Sequence, residues 1–328
     1  MQAAMTAPAP APAQAPAAFA PGPSPGPGPA PAPAQLYAFT TLQPSFFIYD
    51  NPSTDVAALP AVVPNFGLKE GVEWGDVAQE VRRLNEVGGG VYKLVYVGRH
   101  GQGVHNLAEA KYGTEAWDDD WSHRNGDGEL VWGPDPLLTS LGEQQAEDVN
   151  EEWRLRLHNP NSTPSQKPPL PQRLYSSPFT RALETAKRTY MGVYGSEGKE
   201  QLILEGLRET IGGHTCDMRS PKSVIAKRFP APAFEFEPGF AEGDMLFNPI
   251  ARESEEELVE RLQETLSRIF SPATGTDVAS SDGAQVIAIS CHSGVMQALF
   301  RLTGHRFFTP KTGALVPMVL KAVPATST

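Results

Sequence analysis

Two short runs of β-forming residues, Leu94–Val97 and Val286–Ile289, each lead almost directly into a histidine that lies next to, or one residue from, a glycine. The first continues as Gly98-Arg99-His100-Gly101 and the second as Cys291-His292-Ser293-Gly294. A short run with no charged member reads as a strand buried on both faces, which is what a parallel sheet with helices above and below produces. Similar runs recur at Leu174–Ser176, Leu202–Leu204 and Ala314–Val323, with helical stretches between them. Strands alternating with helices of this length predict an α/β fold, a three-layer α/β/α sandwich around a mostly parallel sheet.

The helical stretches carry their own punctuation. Trp74–Val87 has apolar residues at Trp74, Val77, Val81 and Leu84 and stops at Gly88-Gly89-Gly90. A further helical segment starts at about Asn106. Ser140 with Glu143 predicts a capping box opening a helix to about Leu157. Ser177-Pro178 reads as an N-cap and first-turn proline of a helix ending at Gly192. Ser254, followed by Glu255, Glu256 and Glu257, opens a helix through Phe270, its negative charges at the positive helix end. Residues 36–90 read as a lead-in packed on the outside of one catalytic domain spanning 36–328.

The first 35 residues stand apart, with eleven prolines and no charged side chain. Proline at that density blocks helix and sheet, so a disordered tail leaning to polyproline II is expected, of a kind that also suits an SH3-type module as a partner. It lacks the positive start of a signal peptide and the arginines of a transit peptide. The net charge of -11 argues against nucleic acid or an anionic membrane as partner. Nothing approaches the ~20 continuous apolar residues of a membrane-spanning helix. Cys216 and Cys291 are too few for a disulfide framework, which suits a reducing, cytoplasmic setting.

Carboxyl ends of strands border the ligand crevice in open α/β sheets, and His100 and His292 both lie there. Arg181 falls in the first turn of a helix after a strand, where the helix end and a guanidinium fork both favour phosphate oxygens. Singly, each of these is more often structural; three strand ends carrying them together point to an anion site. Trp117, Asp118–Asp120 and Trp121 form a polar-aromatic loop that reads as surface decoration ahead of the alternative, a lid. His123, His158 and His305 read as structural or solvated.

These motifs resemble, in order and spacing, those of the histidine phosphatase superfamily, which includes phosphoglycerate mutases and related phosphatases. Arg99-His100-Gly101 with the trailing Asn106, the segment Asp135–Ala146, Ser176–Ala186 around Arg181, Leu207-Arg208-Glu209 and His292-Ser293-Gly294 carry the resemblance across about residues 93–300. The stretch Gly213–Ser220 is similar to that of fungal mutase-like phosphatases.

The resemblance implies that His100 attacks phosphorus while Arg99, Asn106, Arg181 and a protonated His292 hold the phosphoryl oxygens. Glu209 is implied as proton donor, with Asp217 as the second candidate. His105, His214 and Asp217 are expected along the substrate pocket. No metal and no cofactor are called for, because the guanidinium groups supply the counter-charge, and a small phosphorylated molecule is the expected partner. The mutases carry an acidic and a hydroxyl residue where this chain has Gln102 and Gly103, which favours hydrolysis of a phosphate monoester over mutase-type transfer. A non-catalytic phospholigand-binding module is the third reading, and the intact set of polar residues speaks against it.

Overall fold

The computed structural model describes residues 35–196, 198–272 and 277–325. The tail expected to be disordered lies outside them, save Gln35. Seven strands form one sheet: β1 (Tyr37–Thr41), β2 (Val91–Arg99), β3 (Arg173–Ser176), β4 (Gln201–Ile203), β5 (Phe234–Phe236), β6 (Val286–Cys291) and β7 (Leu315–Pro324). Their order is β1-β7-β2-β6-β3-β4-β5. From β2 to β5 all neighbours are parallel, whereas β7 runs antiparallel to both β1 and β2. The helices are α1 (Trp74–Val87), α2 (Val104–Tyr112), α3 (Thr114–Asp119), α4 (Ser140–His158), α5 (Thr180–Thr189), α6 (Lys222–Arg228), α7 (Glu255–Phe270) and α8 (Ser293–Thr303).

The apolar runs become central strands because both of their faces are covered. On one face Tyr96 of β2 packs against Trp74 of α1 and Trp153 of α4, with ring centroids 5.9 and 5.0 Å away. Three positions earlier, on the other face, Lys93 points to Phe270 of α7 and donates to the carbonyls of Ser281 and Ala284. Alternation along a strand accounts for the two layers.

Several local expectations need correction. The lead-in is not an outer decoration: β1 is an edge strand paired with β7, and Trp74, Val77 and Val81 are buried in the main core. Thr139 rather than Ser140 caps α4, its hydroxyl accepting from Gly142 N at 3.1 Å. α5 opens at Thr180 and closes at Thr189, so Ser177-Pro178 precedes it. α2 begins two residues before Asn106. Ser254 does cap α7, in a reciprocal box with Glu257. Trp117 forms no lid; it packs with Trp132, Ala108 and Cys216 in a small satellite core.

Candidate active site

Three adjacent parallel strands, β2, β6 and β3, end at the same level. Arg99 lies opposite Cys291, and Ser290 lies opposite Ser176. The ladder runs one residue further on each side, with His100 N donating to Cys291 O and Ser177 N to Ser290 O. Register alone therefore brings Arg99, His100, Ser177 and His292 to one sheet edge. The first turns of α2, α5 and α8 start beside it and bring His105, Arg181 and Gly294.

His100 is buried, and its Nδ1 lies 2.6 Å from the Gly101 carbonyl. That contact places the ring proton on Nδ1 and leaves Nε2 as a lone pair. Burial first, then the Arg181 and Arg99 charges, hold the imidazole well below its ordinary pKa, so it stays neutral. The His292 ring stands 5.0 Å from the His100 ring and the His105 ring 5.3 Å.

His292 departs from expectation. Burial, followed by Arg181, His100, His105 and Arg99, pushes its pKa well down, which favours the neutral ring over the protonated one. Its Nε2 lies 2.7 Å from Ser177 Oγ and its ring meets Phe179 edge-on. Ser177, read from the sequence as a helix cap, is thus a partner of this imidazole. Only its contact 115 positions away along the chain reveals that.

Arg181 is fully buried, stacked on Phe179 and braced from behind. Its Nη1 donates to Cys216 O and its Nη2 to Asp217 Oδ1 at 3.0 Å. Asp217 Oδ2 accepts from Arg252 at 3.2 Å. With both oxygens taken by guanidinium groups, Asp217 positions Arg181; this corrects its expected place along the pocket and as a second proton donor. Asp135, another residue the motifs left without a role, holds the start of α5 by accepting from Thr180 N and Oγ1. Thr185 Oγ1 accepts from Gly101 N and donates to Arg181 O, joining the two motifs.

Glu209 is fixed against α8. Its Oε2 accepts from Gly294 N at 3.1 Å and its Oε1 from Thr210 N. A Cβ on residue 294 would come within 2.2 Å of Glu209 Oε1, so glycine there makes the approach possible. Arg208 and Arg219, the obvious surface partners for it, are buried and engaged with Asp244 and Glu205 instead. Burial lowers the pKa of Arg99, and Glu209 is the strongest charge acting the other way. Asn106 turns its side-chain oxygen back to Gly103 N at 3.0 Å, leaving its NH₂ without a partner among the described residues.

His214 is close enough to His105 to act on its charge. Burial, then Arg252, push its own pKa down to about 4. Its ring stands 6.0 Å from that of His123, which is exposed and has its Nδ1 3.2 Å from Gly213 O. His214, Cys216 and Asp217 bring their ligand atoms within 4.8 Å of one another. A cation there would have to displace the guanidinium groups from Asp217 and ionise a thiol whose pKa burial pushes up.

The observation that best defines the site is a set of orphans. Arg99 Nε, His105 Nδ1, Arg181 Nε and His292 Nδ1 are all buried without a hydrogen-bond partner among the described residues. Buried polar atoms are normally paired, so unpaired nitrogens gathered around one imidazole mark where a ligand's oxygens belong.

The family model described as histidine phosphatase superfamily (branch 1) matches residues 95–306. A probable phosphoglycerate mutase of Arthroderma benhamiae is 34% identical over 85% of this chain and 83% of its own length. The phosphomutase-like protein 3 of Candida albicans is 31% identical over 84% of this chain and 78% of its own. Among solved structures, a putative alpha-ribazole-5'-P phosphatase from Escherichia coli is 15% identical, covering 72% of this chain and 96% of its own, with a TM-score of 0.41.

Proposed function

The chain belongs to the histidine phosphatase superfamily, and from that premise we propose that it hydrolyses a phosphate monoester through a phosphohistidine on His100. The observation that carries the reading is the free Nε2 of His100, with Nδ1 tied to Gly101 O, beside buried nitrogens that lack partners.

The Nε2 lone pair attacks phosphorus as the bond to the leaving alcohol breaks, and Glu209 gives its proton to the departing oxygen. In the second half Glu209 takes a proton from water. The water oxygen attacks phosphorus, the P–N bond breaks and its electron pair returns to Nε2. Arg99, Arg181 and the Nδ1–H of His292 hold the non-bridging oxygens, and Ser177 donates to His292 Nε2, fixing that tautomer. The amide of Asn106 adds a neutral donor. The guanidinium groups serve as counter-charge, so turnover without added metal is expected; loss on chelation with recovery on adding metal would overturn that. Two buried free cysteines suit a reducing, cytoplasmic setting.

Rapid quench with a labelled ester tests the central step. The expected result is an acid-labile, base-stable label on His100; label on another residue refutes the proposal. For Glu209→Gln, a sugar or alkyl phosphate should lose ~10²–10⁴-fold, because an alkoxide needs a proton on leaving. The burst with p-nitrophenyl phosphate should survive, and equal loss on both substrates would remove Glu209 as the acid.

A mutase reading is favoured by the names of the relatives, a probable phosphoglycerate mutase and a phosphomutase-like protein. Gln102 tells against it here. The chain carries an amide at the mutases' acidic position, and that amide accepts from Thr139 Oγ1 at 2.8 Å, facing α4. Product analysis with 3-phosphoglycerate separates isomerisation from release of inorganic phosphate.

A further inference from the structure

His100, His105, His214 and His292 gather at this site, and the steps proposed above leave His105 without a task. It is only 9% exposed, in the first turn of α2, and neither ring nitrogen has a hydrogen bond among the described residues; Nδ1 is fully buried. An imidazole used merely to fill space would pair at least one nitrogen, as His305 does through Nδ1 with the Arg306 carbonyl. The place is also kept clear for it. A Cβ on Gly103 would come within 2.6 Å of both Cε1 and Nδ1 of this ring, so the ring occupies the volume a side chain at 103 would take.

The groups that face it are cationic or neutral: Arg181 from α5, Arg99 and His100 from the end of β2, and His214. Such surroundings repel a proton and welcome an anion. Resting on the phosphoryl-transfer reading above, we propose that His105 is a third imidazole of the phosphoryl pocket, donating a ring N–H to a non-bridging oxygen of the bound group. It touches the part common to all substrates, not the leaving group. Its loss therefore weakens every phosphate ester alike, whereas loss of Glu209 discriminates between leaving groups.

The test uses orthovanadate and inorganic phosphate as probes of the full-length protein. His105→Phe keeps a ring and removes the donor; His105→Asn and His105→Gln each restore an amide N–H, near the Nδ1 and Nε2 positions respectively. The expected result is a rise of about 10–100-fold in the vanadate inhibition constant for the Phe variant, the scale of one hydrogen bond to a charged group. KM should rise by a similar factor for aryl and alkyl esters, at unchanged melting temperature. At least one amide variant should recover part of the loss. If the Phe variant fails to fold, the two amides are compared with His105→Ala. Vanadate affinity unchanged by removal of the imidazole overturns the proposal, and so does a loss that neither amide recovers, since ring packing would then be the cause. Wild-type protein that neither binds vanadate nor hydrolyses p-nitrophenyl phosphate refutes the phosphoryl-transfer reading itself.

Discussion

Acidification of the unliganded protein should unfold it through its own active site. His100, His105 and His292 are all held well below their ordinary pKa by burial and by nearby arginines. In the unfolded chain each titrates near 6.5. Below that pH the unfolded state binds protons that the native state refuses, so stability falls as pH falls; above it the three contribute nothing to the pH dependence. One pKa unit corresponds to 1.36 kcal/mol, so each imidazole still neutral at about pH 5 removes about 2 kcal/mol. Three neutral rings would remove about 6 kcal/mol, much of a typical stability of 5–15 kcal/mol. Carboxylates with lowered pKa, such as Asp50 and Asp244, give a loss in the same direction but in a lower window. Their stabilisation persists above about pH 4 and is lost only below it, outside this window. Urea denaturation from about pH 7.5 to 5 reads the effect. Subtracting the curve of His105→Phe isolates one ring and should shrink the drop by about 2 kcal/mol. Inorganic phosphate should flatten the wild-type curve, because an anion in the pocket makes room for protons. Stability that is flat or rising as pH falls through this window would refute the argument.

Two more outcomes follow. Asp217→Ala strands a buried guanidinium, since the pair with Arg181 is almost wholly shielded; a loss of about 3–5 kcal/mol in denaturant titration is expected, with KM raised as Arg181 slackens. Deleting residues 1–35 should leave melting temperature and KM nearly unchanged, because a charge-free, proline-rich stretch has no periodic apolar face to bury; a fall of several degrees would contradict this.

Local chemistry was legible from the sequence and distant pairing was not. β2 and β6 could be read because a buried parallel strand needs only its own apolar run, and α7 because its capping box lies within four residues. The residues that converge on the pocket could be read for the same reason: each sits just past a strand or in a helix first turn. Ser177 was misread because a serine before a proline looks like a helix cap until His292 is placed beside it. Asp217 was misread because its two guanidinium partners lie about 35 residues away on either side. The neutral state of His292 depends on burial among four other cationic or titratable groups, which no linear motif encodes. β1 escaped notice because its alternation of buried and exposed residues lasts only five residues.

The edge strand changes how the site is supported. β7 runs antiparallel beside β2, and the segment entering it lies along Arg99 and His100: Pro310 O accepts from Arg99, Gly313 N donates to His100 O, and Ala314 O accepts from Arg99 N. That same segment is fastened to the first strand's continuation. Arg306 donates to the carbonyls of Asn51 and Thr54, Lys311 to that of Leu59, and His305 faces Asp50 at 2.9 Å. A chain of backbone and side-chain bonds thus joins residues 50–59 to Arg99 and His100. Antiparallel pairing is what permits it, because a parallel β7 would enter the sheet at the opposite edge and leave Arg99 without its carbonyl partners. The lead-in is therefore part of the frame that holds Arg99 and His100, and that frame begins at β1, well before the Arg99-His100-Gly101 motif.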